Sequence, residues 1–222
     1  GLLCVALVPL AGPTWAGEVL TLGIMPFNSA LALIKTHQPL RQALERHLGR
    51  PIEVYTEADY TSFVRESLAG RYDILITGPH FAVMSIDKGY VPLVHYKAPL
   101  QPIFVVRPHA GLTGAEGFKG KTIALSSRFS ISSIGGIKWL ADKGLNAGHD
   151  YQIREYPTHG AAIAAVAVGE ADAALTTHTP LKQIPADIRD KVEVFPSDIR
   201  IPHLMTLAHE RLGARTITQI RV

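Results

Sequence analysis

Between Ser126 and Ser133 the chain places five serines in eight positions, and Gly135-Gly136 follow after Ile134. Before them, Thr122-Ile123-Ala124-Leu125 reads as a short buried strand; after them, Ile137 to Lys143 reads as a helix. Hydroxyls and glycines at a strand-to-helix junction bring side-chain O–H and free backbone N–H groups to one spot. That spot is also the positive end of the helix dipole, so the chemistry it suits is the binding of a small oxyanion. The plain alternative is that a serine caps the helix, which uses one hydroxyl and leaves four unexplained.

The elements around this junction follow a regular rhythm. Val19 to Met25 reads as a first strand, Leu40 to Leu48 as a helix stopped by Gly49, and Ile52 to Tyr55 as a second strand. Ser62 to Ala69 is a helix closed by Gly70, Asp73 to Thr77 a strand, Phe81 to Lys88 a helix and Val91 to Tyr96 a strand. Such alternation predicts a mostly parallel sheet with helices on both faces. The pattern restarts with strands at Ile103 to Val106, Tyr151 to Tyr156, Ala171 to Leu175 and Lys191 to Phe195, and an alanine-rich helix from Gly160 to Gly169. Two α/β units joined near Lys97 to Arg107 predict two lobes facing a cleft: residues 17–103, with 200–222 returning to them, and residues 104–199. An internal echo supports a duplication, since Gly70-Arg71-Tyr72-Asp73 and Gly169-Glu170-Ala171-Asp172 each stand between a helix and an apolar strand.

In open α/β sheets, ligands sit beyond the carboxyl ends of the strands. Here those ends are rich in Ser, Thr, His and Tyr, and Arg128 is the only basic residue among them. Thr77 and His80 are candidates by position alone. Neutral donors suit reversible capture of an anion, whereas phosphoryl transfer would call for Lys, Arg or a metal. A hydrolase triad of Ser130, His159 and Asp172 is weakened because Asp172 opens a strand and the chain has no Gly-x-Ser-x-Gly elbow. No His-Glu-x-x-His motif or carboxylate cluster calls for a metal. The expectation is therefore a binding protein, not an enzyme, with no metal or cofactor.

The net charge of +3 comes without a basic run, so nucleic acid is not an expected partner. The start, Gly1 to Gly12, is apolar but too short to span a bilayer. With Thr14 and Ala16 at signal-peptidase spacing, residues 1–16 read as a partial signal peptide cleaved after Ala16, which predicts export to the periplasm. The single cysteine, Cys4, falls in that segment, so the mature chain is expected to lack disulfides and thiolate chemistry.

Four segments together resemble the phosphonate/phosphite/phosphate periplasmic solute-binding proteins of ABC transporters, the PhnD-like family. They are Gly23-Ile24-Met25-Pro26, Ala58-Asp59-Tyr60, Ser130-Ile131-Ser132-Ser133, and Thr158-His159-Gly160-Ala161-Ala162 followed by Gly169-Glu170-Ala171-Asp172. The resemblance implies a type II periplasmic-binding-protein fold, two α/β lobes with a hinge and an interlobe cleft. It implies that Tyr60, the hydroxyls and N–H groups from Ser130 to Ser132, and His159 hold the oxyanion. It further implies a monomer that delivers its ligand to an inner-membrane permease. The chain departs from the family pattern at Ile131, where a threonine is usual, and at Ser133, where glycine is usual. Thr179 stands where relatives binding aminoalkylphosphonates carry an acid, which disfavours such ligands here. Phosphite, phosphate and methylphosphonate stay open, as does an apolar ligand, given Ile131 and Phe81. Family members continue into C-terminal helices beyond the point matching Val222. The alternative function is the ligand-binding sensory domain of a histidine kinase or cyclase receptor, which shares the lobe pair.

Overall fold

Leu20, Leu22 and Ile24 are completely shielded from solvent, as are Ile123, Ala124 and Leu125 a hundred residues on, and each run seeds its own sheet. The structure, a computed structural model, describes residues 17–195 and 197–221. In chain order the elements of the first half are β1 (Leu20–Ile24), α1 (Ala30–Leu48), β2 (Ile52–Tyr55), α2 (Tyr60–Leu68), β3 (Ile74–Thr77), α3 (Pro79–Ile86) and β4 (Tyr90–His95). Next come β5 (Pro102–Val106), β6 (Thr122–Leu125), α4 (Ile131–Asp142), β7 (Gln152–Glu155), α5 (His159–Ala167) and β8 (Ala173–Thr177). The remainder is α6 (His178–Gln183), α7 (Ala186–Arg189), β9 (Glu193–Phe195), β10 (Met205–His209) and α8 (Gly213–Ile220). The proposed signal segment, with Cys4, lies outside the described residues. Among the described residues, no helix is long and apolar enough to cross a membrane.

The strands form two five-stranded sheets of matching plan, β2-β1-β3-β10-β4 and β7-β6-β8-β5-β9. In each, three parallel strands are followed by an antiparallel one, β10 or β5. The expected mostly parallel sheet is thus mixed, because the chain crosses twice between the sheets and β10 enters the first from the far side. β10 and α8 place residues 205–220 against the first sheet and its helices. All of β5 belongs to the second sheet, so the crossing precedes Pro102 rather than following Ile103. The two crossings pair with each other: the Leu100 N–H donates to the Ile201 carbonyl at 2.8 Å, and the Ile201 N–H to the Leu100 carbonyl at 3.0 Å.

The internal echo has a structural cause. Asp73 accepts the Thr21 N–H at 2.9 Å, and Asp172 accepts the Thr122 N–H, also at 2.9 Å. Each aspartate thereby clamps the strand it introduces, the central one of its sheet, to the neighbouring β1 or β6. Asp172 is committed to that task, which removes it from any catalytic triad. Gly70 and Gly169 hold φ of 73° and 84°, the left-handed turn that ends α2 and α5 before the clamp.

Two helices differ from expectation. α1 starts at Ala30, capped by Ser29, and runs through Pro39; the lost N–H there costs one internal bond but does not end the helix. α4 begins at Ile131, because Ser130 caps it and Gly135-Gly136 pack rather than break it. At Gly136 a Cβ would lie 2.5 Å from the Leu175 methyls, so the glycine lets α4 rest directly on β8.

Candidate functional site

Three of the helices that follow a strand's carboxyl end begin with side-chain-capped turns that meet. Asp59 caps α2, Ser130 caps α4 and Thr158 caps α5, each accepting the N–H three residues on. The caps leave the earlier N–H groups of each first turn free. Tyr60, Ile131, Ser132 and His159 occupy those turns, and all four line one cavity of 310 Å³ between the sheets. Three helix N-termini, one from the first lobe and two from the second, therefore direct positive potential into the same space.

The polar side chains at these three turns are hydroxyls and one imidazole. The Ser130 hydroxyl donates to Ser133 Oγ at 2.7 Å and lies 3.1 Å from Ser132 Oγ. His159 is 3% exposed, and its Nε2 sits 3.2 Å from Ser126 Oγ. Its Nδ1 is buried without a partner, and so is the Tyr60 hydroxyl. Burial pushes the His159 pKa down to about 4, so the ring is neutral at pH 7. Burial likewise pushes the Tyr60 phenol upward, the nearby Ser126 hydroxyl working weakly against it. A serine hydroxyl can donate to Nε2 or accept from it, so the ring proton is free to sit on Nδ1 when an acceptor enters. Among the described residues, no Lys, Arg, Asp or Glu lines the cavity. Arg128, the one basic residue on these loops, turns outward to Glu155 at 3.2 Å.

Of the residues the sequence singled out, Tyr60, Ser130, Ile131, Ser132, His159 and Thr179 come together in this cavity. Thr77, His80 and Ser133 are not part of its lining. Thr77 is fully buried in β3 with its hydroxyl toward Met25 Sδ, because its place in the strand turns it into the core. Ser133 is spent on Ser130, holding the cap hydroxyl in place. His80 joins the lobes instead: its Nε2 lies 2.7 Å from the Phe129 carbonyl on the serine loop. Phe81, expected as a possible wall, packs into the first core behind Tyr60. Sequence reading missed His37 on α1, Tyr96 and Leu100 on the first crossing, and His203-Leu204 on the second, while Thr177 lies at a strand end it had marked as ligand-facing. Strand-end reasoning had no access to the crossings, since they belong to no strand-to-helix junction. A second contact across the cleft runs from Gln183 on α6 to Thr36 on α1 at 3.3 Å.

Two mixed sheets, a doubled crossing and a donor-lined cleft define a type II periplasmic binding protein. The chain belongs to the ABC transporter, phosphonate, periplasmic substrate-binding protein family, whose model matches residues 22–222. Among relatives, it is 28% identical over 126 residues to the phosphate-import protein PhnD of Mycolicibacterium smegmatis. That match covers 57% of this chain but only 35% of the relative's length. Among solved structures it resembles PhnD1 of Prochlorococcus marinus in complex with methylphosphonate, with a TM-score of 0.80 at 16% identity, covering 91% of this chain and 82% of that one. It also resembles a binding-protein component of an ABC phosphonate transporter from Pseudomonas aeruginosa, with a TM-score of 0.79 at 15% identity, covering 92% and 72%. At such identities the structural matches establish the fold.

Proposed function

We propose that this chain captures a small tetrahedral oxyanion, phosphite, phosphate or an alkylphosphonate, and delivers it to an inner-membrane ABC permease. The observation that carries this reading is the pair of buried, unpartnered polar atoms, Tyr60 Oη from one lobe and His159 Nδ1 from the other, in a single uncharged cavity. Unpaired buried donors cost free energy unless something else satisfies them. An oxyanion does so, accepting the Tyr60 O–H, the His159 N–H, the Ser132 hydroxyl and the free amides of α4, with Ser130 holding that turn in place. Thr179 lies at the mouth, and the Ile131 side chain supplies only carbon, with its N–H as the donor. Residues 17–103 and 200–222 would act as one rigid body and 104–199 as the other, closing on the doubled crossing. Sheet membership supports that division apart from β5. The apolar start supports export, with the mature chain beginning at Gly17.

The test is a thermal-shift and calorimetric screen with phosphite, phosphate and methylphosphonate. Binding to the native state alone raises the melting temperature. Ser132→Ala should weaken the best of them by about 1–3 kcal/mol, the worth of a hydrogen bond to a charged group. No shift with any oxyanion, or an unchanged affinity in Ser132→Ala, would refute the site.

A further inference from the structure

The cavity is larger and more apolar than an oxyanion alone requires. A tetrahedral oxyanion fills about the space of three water molecules, at about 30 Å³ each, whereas the cavity holds 310 Å³. Beyond the serine and histidine donors, much of its wall is carbon: Phe27 from the loop after β1, and Tyr96, Leu100 and Leu204 from the two crossings. Tyr96 is stacked on the His203 ring at 4.5 Å, which fixes it as a flat apolar surface. The Leu204 N–H donates to His203 Nδ1 at 2.7 Å, which places the proton of the neutral ring on Nε2. Burial holds His203 below the usual histidine range, so this wall offers no cation.

Among the described residues, no carboxylate here would receive an ammonium group. Glu57 and Asp59 are the carboxylates nearest Tyr60 in the chain. Glu57 accepts the Tyr72 hydroxyl at 2.7 Å, and Asp59 accepts the Ser62 N–H at 2.7 Å to cap α2. Among the described residues, neither these two nor any other acid lines the cavity.

We infer that the site holds an oxyanion carrying an uncharged, mainly apolar substituent, an alkyl- or arylphosphonate, with Tyr96, Leu100 and Leu204 setting that preference. The inference rests on the oxyanion reading and extends it to the other half of the ligand. Phosphite and phosphate would leave the carbon wall uncovered. An aminoalkylphosphonate would bury an ammonium without a carboxylate partner. Each methylene moved from water onto this wall should tighten binding by about fourfold.

The test is calorimetric titration of the whole chain with phosphite, methylphosphonate, n-butylphosphonate, phenylphosphonate and 2-aminoethylphosphonate. The expected order has butyl- and phenylphosphonate at least tenfold tighter than methylphosphonate, and 2-aminoethylphosphonate at least tenfold weaker than it. Tyr96→Ala should remove most of the butyl advantage while changing phosphite affinity less than threefold. Leu100→Asp, checked for folding by its melting curve, should narrow or reverse the gap between the butyl and aminoethyl ligands. Equal affinities along the series, or tightest binding by phosphite or the aminoethyl ligand, would overturn the inference and leave the oxyanion reading standing. If no oxyanion of any tail binds, both fall.

Discussion

His159 offers a measurement of the site that needs no ligand. The ring is buried, and its pKa is driven down to about 4, against about 6.5 for an exposed histidine. The unfolded chain therefore takes up a proton between these values while the native chain does not. The stability associated with this residue is complete above pH 6.5 and is lost as the pH falls toward 4. Linkage gives about 3.4 kcal/mol over the whole interval, at about 1.36 kcal/mol per pH unit, of which about 2 kcal/mol is lost by pH 5. Its nearest polar neighbours do not titrate in this range: Ser126 is a hydroxyl, and burial keeps the Tyr60 phenol protonated.

His159→Gln keeps a side-chain amide able to meet Ser126 but cannot take up the proton. Urea unfolding of both proteins at pH 7 and pH 5 isolates the residue, since other histidines with lowered pKa, such as His80 and His203, titrate equally in each. The variant should lose about 2 kcal/mol less than the parent between the two pH values. It should also bind the preferred oxyanion at least fivefold more weakly, having lost the Nδ1 donor. Parallel stability losses in the two proteins would refute the buried, neutral imidazole, and with it the reasoning that makes His159 a donor.

Two further outcomes test the frame around the site. His80→Ala removes the hydrogen bond from the first lobe to the Phe129 carbonyl on the serine loop. It should weaken oxyanion binding by about 0.5–1.5 kcal/mol and enlarge the radius of gyration by small-angle scattering, and an unchanged affinity and radius would show that this bond does not hold the lobes together. Asp172→Ala strips the clamp on the Thr122 N–H and, at this half-buried position, should cost about 1–2 kcal/mol of stability while leaving ligand affinity within twofold; a large affinity loss without destabilisation would return Asp172 to the site.

What could be read from the sequence was whatever depended on local pattern. The serine junction, the strand cores and the glycine-ended helices follow from periodicity and capping, which act within a few residues. The helix expected from Leu40 starts ten residues earlier, since Pro39 lowers local preference without overriding the packing of Leu33, His37 and Leu44 on one buried face. β10 was invisible for another reason. Met205-Thr206-Leu207-Ala208 is a short apolar run like many others, and only pairing with β3 and β4, more than a hundred residues upstream, makes it a strand. The hinge wall of Tyr96, Leu100 and Leu204 was missed on the same grounds.

The aspartate echo shows how a repeated motif is best interpreted. Gly70 to Asp73 and Gly169 to Asp172 recur because each sheet must end a helix, turn, and lock its new central strand to the neighbour already in place. Both aspartates do this with the same 2.9 Å bond. Duplication of the frame did not duplicate the binding groups, however. After β3 the first lobe has Thr77 buried and His80 turned toward Phe129, whereas after β8 the second lobe has Thr177 and Thr179 lining the cavity. The first lobe contributes its donor one strand earlier, at Tyr60 after β2. A cleft between two copies of one architecture receives different chemistry from each side, so strand ends that look equivalent in sequence need not be equivalent in the site. The distinguishing signal is where each side chain lies: Tyr60 and His159 line the cavity and each keeps an unpartnered polar atom there, whereas the Thr77 hydroxyl faces Met25 Sδ in the core and His80 Nε2 meets the Phe129 carbonyl away from the cavity lining.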